Sequence, residues 1–154
     1  LGELEFLFAV APSHPLAAHA GTISAAQLLQ HRAVAVADTA RVGSAVTVNL
    51  LPDQDVLTVP TTRDKIDAQL RGLGCGFVPE PMARAHIAAG RLVVKAVQAR
   101  APRARMGYAW RGSARTGRAK SMPDGQALQW WLGQLESPAT RLALLERHDE
   151  LPPI

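Results

Sequence analysis

The stretch GLGCGFVPEP, residues 72–81, holds the residues whose types and spacing most suggest chemistry. Its alternating glycines resemble part of a phosphate-cradling loop. Such a loop follows a strand and opens a helix, because the N–H groups at the helix N-terminus hold the phosphate. Here the helical pattern of Ile66, Leu70 and Leu73 comes before the glycines and a strand pattern comes after them. The sequence therefore predicts that Gly72 or Gly74 caps a helix, and that Gly74 and Gly76 let it approach the sheet closely.

The reactive side chains give little support for catalysis. An activated thiolate needs a basic partner or a helix N-terminus, but Cys75 follows a helix among glycines and apolar residues, which favours a buried structural thiol. The five histidines lack metal-binding spacing, and neither a paired-carboxylate site nor a G-x-S-x-G elbow is present. We predict no enzyme activity, no metal and no cofactor.

Charge is distributed unevenly along the 154 residues, which carry a net charge of +4. Eight Lys and Arg balance eight Asp and Glu up to Ala96, whereas Val97–Lys120 has seven cations and no acid. A nucleic-acid surface is one interpretation of that stretch. A solvated basic loop is favoured, since a strand pattern explains its only aromatic residues, Tyr108 and Trp110. No apolar run is long enough for a bilayer and no secretory signal opens the sequence, so we expect a cytoplasmic protein, in keeping with one cysteine.

Strand and helix patterns alternate through the first two thirds of the chain. The predicted strands are listed as Leu4–Val10, Ala33–Ala37, Val56–Pro60, Cys75–Val78 and Leu92–Val97. The predicted helices begin at a Ser24–Gln27 capping box and run to about Gln30, begin at Thr61 or Thr62, and extend from about Pro81 to Ala89. In the second helix, Lys65 is expected to face away from the apolar stripe. This order predicts an α/β lobe with a largely parallel sheet.

Further elements are predicted after the basic stretch. Met106, Tyr108 and Trp110 alternate as a strand, and a helix follows from Asp124 or Gly125. Its apolar stripe is expected to contain Leu128, Trp131, Leu132 and Leu135, with Trp130 off the stripe. A last helix, from Pro138 to about Arg147, is expected to place Leu142 and Leu145 together.

Several of these segments resemble the effector-binding domain of LysR-type transcriptional regulators. LEFLFAVAPSHPLA resembles the segment that leaves one lobe, and LRGLGCGFVPEPMARAHIAAGRLV resembles the family's helix, glycine turn, strand, proline and helix. The resemblance implies a type 2 periplasmic-binding-protein-like α/β fold with one complete lobe and the closing part of a second. It divides the chain into a crossing strand at 1–10, an effector lobe at 11–97, and a return to the first lobe at 98–154. The winged helix-turn-helix and the start of the first lobe are not in this sequence, so we expect a fragment.

The resemblance also implies where a ligand binds. Three places correspond to the cleft edge of the complete lobe, and they comprise Asp38, Thr39 and Arg41, then Thr61, Thr62 and Arg63, then Phe77, Val78 and Pro79. Loop residues and helix N-termini at such an edge suit an anionic effector. The two threonines also fit a role as plain helix caps, and the two arginines fit solvated surface. We expect a homodimer or higher oligomer, and contact with DNA only through a domain outside this sequence.

Four functions follow from these features. The favoured one is a metabolite-sensing domain that modulates transcription without catalysis. A transporter's solute-binding protein shares the implied fold. An enzyme on this fold would depend on Asp38, Cys75 or Arg63, and a nucleic-acid contact would use the cations from Arg100 to Lys120.

Overall fold

The computed structural model describes residues 1–38, 50–110 and 125–146. The chain forms two compact units, one of Glu5–Arg103 and one of Leu1–Leu4 with Ala104–Ile154. In chain order, the elements before Arg103 are β1 Gly2–Val10, a 3-10 turn Pro15–Ala18, α1 Ala25–Leu28, β2 Ala33–Val36, β3 Val56–Val59, α2 Thr62–Leu70, β4 Gly76–Pro79, α3 Glu80–Ala88 and β5 Val93–Val94. β6 Arg103–Met106, α4 Gln126–Glu136 and α5 Pro138–Glu146 follow. The predicted alternation of strands and helices is confirmed.

The described strands form two sheets, a four-stranded one in the order β4-β1-β5 with β6 also on β1, and a two-stranded one of β2 and β3, so the prediction of a largely parallel sheet is only partly right. β2 and β3 are parallel, with Ala33 opposite Val56, and a parallel bridge joins Ala33 to Cys75 just before β4. β1 is antiparallel to both β4 and β5, and β6 also pairs with β1. Hydrophobic periodicity reports which face of a strand is buried but carries no information about strand direction, which is why the sequence missed the antiparallel pairs.

The core of the unit Glu5–Arg103 covers both sides of β1 and β4. Phe8 and Phe77 point to one side, where their rings meet edge to face with centroids 5.4 Å apart. Ala9 and Val78 point to the other side, against Ile66 of α2. Successive strand residues thus alternate between two apolar clusters, and the period-2 prediction for β1 is confirmed.

The glycines after α2 have the structural roles that their position predicts. Gly72 has φ +72° and its N–H donates to the Gln69 carbonyl at 2.9 Å, which closes the helix. A Cβ at Gly74 would lie 2.7 Å from the Arg32 carbonyl oxygen and 2.9 Å from Cγ2 of Val34. The helix cap and the close approach at Gly74 are both confirmed, and no helix N-terminus follows these glycines until α3 begins at Glu80.

The apolar stripe predicted for α2 is wrong at its C-terminal end. Leu73 lies beyond the helix and is 42% exposed, whereas Gln69, which the predicted stripe did not include, is fully buried. Lys65 was expected to face away from the core and is instead partly buried. The helix ends at Leu70, so the turn at Gly72 carries Leu73 away from the helical face.

Several predicted boundaries also need correction. α1 ends at Leu28, although its Ser24–Gln27 capping box is present. The strand predicted over Leu92–Val97 is observed only at Val93–Val94. Val97 lies beyond it and forms an isolated parallel bridge with Ile23. β6 ends at Met106, so Tyr108 and Trp110 lie outside it and stack on each other with ring centroids 5.9 Å apart.

The unit of Leu1–Leu4 and Ala104–Ile154 has no buried residue among those that the structure describes. Trp131 was expected to fill the apolar stripe of α4 but is 56% exposed, similar to Trp130 at 58%. Leu142, expected beside Leu145 on α5, is also exposed, while Leu145 is half-buried. Within the described ranges, no helix has both the length and the apolar character to cross a membrane.

Candidate functional site

The parallel strands bring three chain segments to one edge of the sheet. β2, β3 and the chain entering β4 run in the same direction, so their carboxyl ends lie on the same side. The N–H of Ala37 extends the β2–β3 ladder by donating to the Val59 carbonyl at 2.8 Å. Asp38, Thr61 and Pro79 each stand where one of these strands ends. We call this place the strand-end edge.

The first predicted segment is described only in part. Asp38 is exposed at the end of β2. Thr39 and Arg41 lie outside the described residues, so their role as site residues stays a prediction.

Thr61 caps α2 through a reciprocal capping box. The Asp64 N–H donates to Thr61 Oγ1 at 3.1 Å, and the Thr61 N–H donates to Asp64 Oδ2 at 3.1 Å. The Thr61 hydroxyl also donates to Asp64 Oδ2, at 2.7 Å. These bonds agree with the interpretation of Thr61 as a plain helix cap. The Asp64 carboxylate already occupies part of the positive N-terminal end of α2. Thr62 begins the helix and is partly buried, and Arg63 is exposed.

The strand β4 delivers buried side chains to the same edge. Phe77 and Val78 belong to the two apolar clusters, and the backbone of β4 pairs with β1. Pro79 is buried and stands at the N-cap of α3 without a side-chain hydrogen bond. In the first turn of α3, Glu80 accepts from Arg84 Nη2 at 2.6 Å and Nε at 2.8 Å, and this bonding lowers the pKa of Glu80 below its usual range. At this segment, a ligand at the strand-end edge would therefore meet the start of α3, because the side chains of Phe77 and Val78 are buried in the two apolar clusters.

Two polar residues that the sequence reasoning missed lie behind the strand-end edge. Lys65 and Gln69 extend from α2 toward Gly76, where an added Cβ would lie 3.4 Å from Lys65 Nζ and 3.1 Å from Gln69 Nε2. Burial lowers the pKa of Lys65 from its ordinary 10.5 to about 8, an effect that the nearby Cys75 thiolate opposes. The signal for this pair was their spacing of four residues, which places both on one face of a helix.

Cys75 is a buried structural thiol, as its sequence context predicts. Its side chain donates to the Arg32 carbonyl oxygen at 3.4 Å, and its residue surface is 1% exposed. Burial raises the pKa of the thiol to about 11, although Lys65 opposes the shift. The reactive thiolate is therefore scarce near neutral pH.

In residues 1–38, 50–110 and 125–146, no group of three or more His, Cys, Asp or Glu side chains is arranged to hold a metal ion. His14 and His31 are neighbours with ring centroids 5.1 Å apart. His14 Nδ1 accepts a hydrogen bond from the Leu16 N–H, which gives that ring a structural role in the turn.

Comparison with known proteins decides the family. The family model described as LysR substrate binding domain matches residues 1–135. The chain belongs to this family. The family's periplasmic-binding-protein-like α/β fold agrees with the mixed α/β elements described above, and the resemblance drawn from the glycine turn and its flanking helices is confirmed.

The similar proteins are described as transcriptional regulators. An uncharacterized HTH-type transcriptional regulator, YeeY of Escherichia coli, is 30% identical over 97% of this chain and 46% of its own length. The HTH-type transcriptional activator AllS of Klebsiella pneumoniae is 40% identical over 60% of this chain and 34% of its own. The regulatory domain of MetR, a LysR family regulator from N. meningitidis, is 14% identical with a TM-score of 0.47, over 67% of this chain and 49% of that one. This chain thus spans less than half the length of these two curated relatives.

Proposed function

We propose that this chain is the effector-sensing part of a LysR-type transcriptional regulator and that a small molecule binds at the strand-end edge. The observation that carries the proposal is the convergence of three strand ends, since open α/β sheets bind ligands outside the carboxyl ends of their strands. The family match to a substrate-binding domain supports a role in binding a small molecule. The candidate residues are Asp38, Thr39, Arg41, Thr61, Thr62, Arg63 and the start of α3 at Pro79.

The proposed mechanism is a change in population between two conformations. An effector that binds one arrangement more tightly shifts the equilibrium toward it, and a linked DNA-binding domain responds to that shift. The description of relatives as HTH-type regulators supports such a linked domain, and oligomerisation belongs to the same proposal. The division of the chain at Glu5 and Arg103 supports the interpretation of one whole lobe and part of another. Action in the cytoplasm and the absence of catalysis follow from the same regulatory role.

Ligand screening of the full chain tests the proposal. We expect a small metabolite to raise the melting temperature, because a ligand that binds only the folded state stabilises it by mass action. Sugars, amino acids, nucleosides and organic acids provide a panel that does not presuppose charge.

A pair of arginines on α2 supplies a matched control for the position of the site. Arg63 lies at the strand-end edge, whereas Arg71 is exposed at the opposite end of the helix, 3.8 Å from Asp67. We expect Arg63→Ala to weaken binding about tenfold, within the range for a lost charged hydrogen bond, and Arg71→Ala to leave it unchanged. Equal responses of the two variants, or no stabilising compound in the panel, would contradict the proposal.

A further inference from the structure

Two histidines meet where the chain turns away from β1. The rings of His14 and His31 lie with their centroids 5.1 Å apart and their planes at 56° to each other. His14 is 7% exposed, and His31 is partly buried in the segment between α1 and β2. We call these two residues the histidine pair. Neither belongs to the strand-end edge, so the proposed effector site does not account for them.

His14 holds the turn after β1 closed by accepting a backbone hydrogen bond. The Leu16 N–H donates to His14 Nδ1 at 3.2 Å, and the His14 N–H donates to the Ala11 carbonyl at 3.0 Å. Because a backbone N–H can only donate, Nδ1 is unprotonated, and the neutral ring carries its proton on Nε2. The 3-10 turn Pro15–Ala18 therefore begins at a ring that must be neutral to cap it.

Protonation of His14 removes this bond and adds repulsion. A proton on Nδ1 faces the Leu16 N–H, so two donors meet without an acceptor. When His31 is also protonated, two positive rings lie side by side. Burial, and then the neighbouring His31, lower the pKa of His14 below its ordinary 6.5. Leu16 packs in the same apolar cluster as Phe8 and Val10, so release of the turn also disturbs the core.

The charges next to the histidine pair are engaged with each other. Arg32 follows His31 directly and forms an ion pair with Asp55, with 2.7 Å between Nε and Oδ2. The 3-10 turn and α1, with the sequences PLAA and AAQL, contain no titratable side chain. The titratable group whose charge acts on His14 is His31.

Three more titratable groups lie near the turn or its core, and each has another partner. Lys95 donates to the Ala17 carbonyl at 3.1 Å and to the His19 carbonyl at 2.6 Å. The His19 ring contacts the Gln27 amide, with 2.6 Å between the two Nε2 atoms. Cys75 contributes to the apolar cluster, and its raised pKa keeps it neutral near pH 7. Their printed contacts supply no negative charge to stabilise a protonated histidine pair.

We propose that the histidine pair is an acid-sensitive switch, which holds the turn after β1 closed while both rings are neutral and releases it when they are protonated. Proton concentration is then an input to this unit that is separate from the effector and independent of where the effector binds. The folded pKa of His14 is below the ordinary 6.5, so the unfolded chain binds more protons between these values. Stability should therefore fall as the pH drops from 6.5 through the folded pKa.

Histidine NMR of the full chain tests the protonation state directly. At about pH 7.5, His14 should carry its proton on Nε2, and on acidification it should titrate below pH 6.5. Hydrogen exchange, corrected for the intrinsic effect of pH, tests the opening of the turn. Peptides covering residues 11–31 should be less protected at about pH 5.5 than at about pH 7.5.

Two substitutions separate the switch from a purely structural role. His14→Asn keeps an acceptor for the Leu16 N–H, since asparagine is a good N-cap, but it cannot be protonated. This variant should lose roughly half or more of the fall in melting temperature between about pH 7.5 and about pH 5.5. His31→Gln removes the repulsion and leaves the cap bond, so His14 should titrate at a higher pH and the fall should be smaller. His19→Gln, the matched control in the same segment, should keep the fall of the parent chain.

The switch is wrong if His14 titrates at or above pH 6.5 or carries its neutral proton on Nδ1. It is also wrong if His14→Asn keeps the full acid response, or if His19→Gln loses as much of the response as His14→Asn does. Should His14→Asn fail to fold, the titration of His14 in the parent chain and in His31→Gln decides. An unchanged His14 titration in His31→Gln would then contradict the inference.

Discussion

The two units of the chain differ in how they bury their apolar side chains. Phe8, Val10, Phe77 and Val78 are among the buried residues of the unit Glu5–Arg103, whose core lies on both sides of β1 and β4. In the described part of the other unit, no residue is buried, although α4 and α5 are rich in leucine and tryptophan. The first unit thus has a core of its own, whereas the described helices of the second leave their apolar residues largely accessible to water.

The exposed tryptophans illustrate this contrast. Trp130 and Trp131 contact each other edge to face, with ring centroids 5.0 Å apart, and both remain more than half exposed. Phe8 and Phe77 make the same kind of contact at 5.4 Å but are nearly inaccessible. Ring geometry alone therefore does not distinguish a core contact from a surface contact. Burial does, and the energetic consequences follow from burial.

Truncation of one buried and one exposed apolar side chain tests the comparison most strongly. Phe77→Ala should lower the free energy of unfolding by about 3–5 kcal/mol, because it leaves a cavity beside Phe8. Leu142→Ala, at a side chain that is 63% exposed, should change it by less than about 0.5 kcal/mol. Urea denaturation followed by circular dichroism measures both. Similar losses in the two variants would mean that the second unit has a core comparable to the first.

Addition of a methyl group at two glycines should give effects of opposite sign. Gly74→Ala should destabilise by about 1–3 kcal/mol, since the new Cβ meets the Arg32 carbonyl at 2.7 Å. Gly133→Ala, inside α4 with nothing within 4 Å, should stabilise by about 0.5–1 kcal/mol because alanine loses less backbone entropy in a helix. Thermal melts of both variants beside the parent chain check the signs. A tolerated Gly74→Ala would argue against tight packing of this turn on β2.

A smaller effect is expected from the titration of Lys65. Its pKa in the folded protein, about 8, is below the ordinary 10.5, so the unfolded chain binds more protons between these values and stability should rise with pH there. Cys75 titrates in the opposite sense between 9.0 and about 11, because its folded pKa is raised. The clearest window is therefore pH 8 to 9. The rise should disappear in Lys65→Met when melting temperatures are measured across this range, and an unchanged profile in that variant would assign the rise to another group.

The sequence predicted well those features that depend on local pattern. The capping box at Ser24, the cap at Thr61 and the glycine that ends α2 are each specified by a few adjacent residues. The family resemblance extended this to the α/β fold, which the match over residues 1–135 supports. Local capping chemistry and the order of the elements are therefore specified by short stretches of sequence.

The sequence did not predict features that depend on distant partners. The antiparallel position of β1 is decided by β4 and β5, which lie far along the chain. Gln69 was overlooked because a polar residue beside Leu70 suggests an exposed position, and only the packing of α2 over Gly76 shows that it is buried. The sequence predicted a candidate site at three strand ends, and the roles of its residues in binding a ligand remain predictions.

The position of β1 also affects the order in which the lobe can form. Phe6 pairs with Pro79 and Val10 pairs with Val93, so β1 must wait for most of the lobe to be synthesised before either neighbour exists. Contacts between such distant segments slow folding, and domains that emerge from the ribosome gain structure as their later segments appear. Until β4 emerges, the apolar strand GELEFLFAV lacks the pairing that β4 gives it, and an unpaired apolar strand edge is a template for aggregation. The central strand of the four-stranded sheet thus gains these two partner strands late in synthesis.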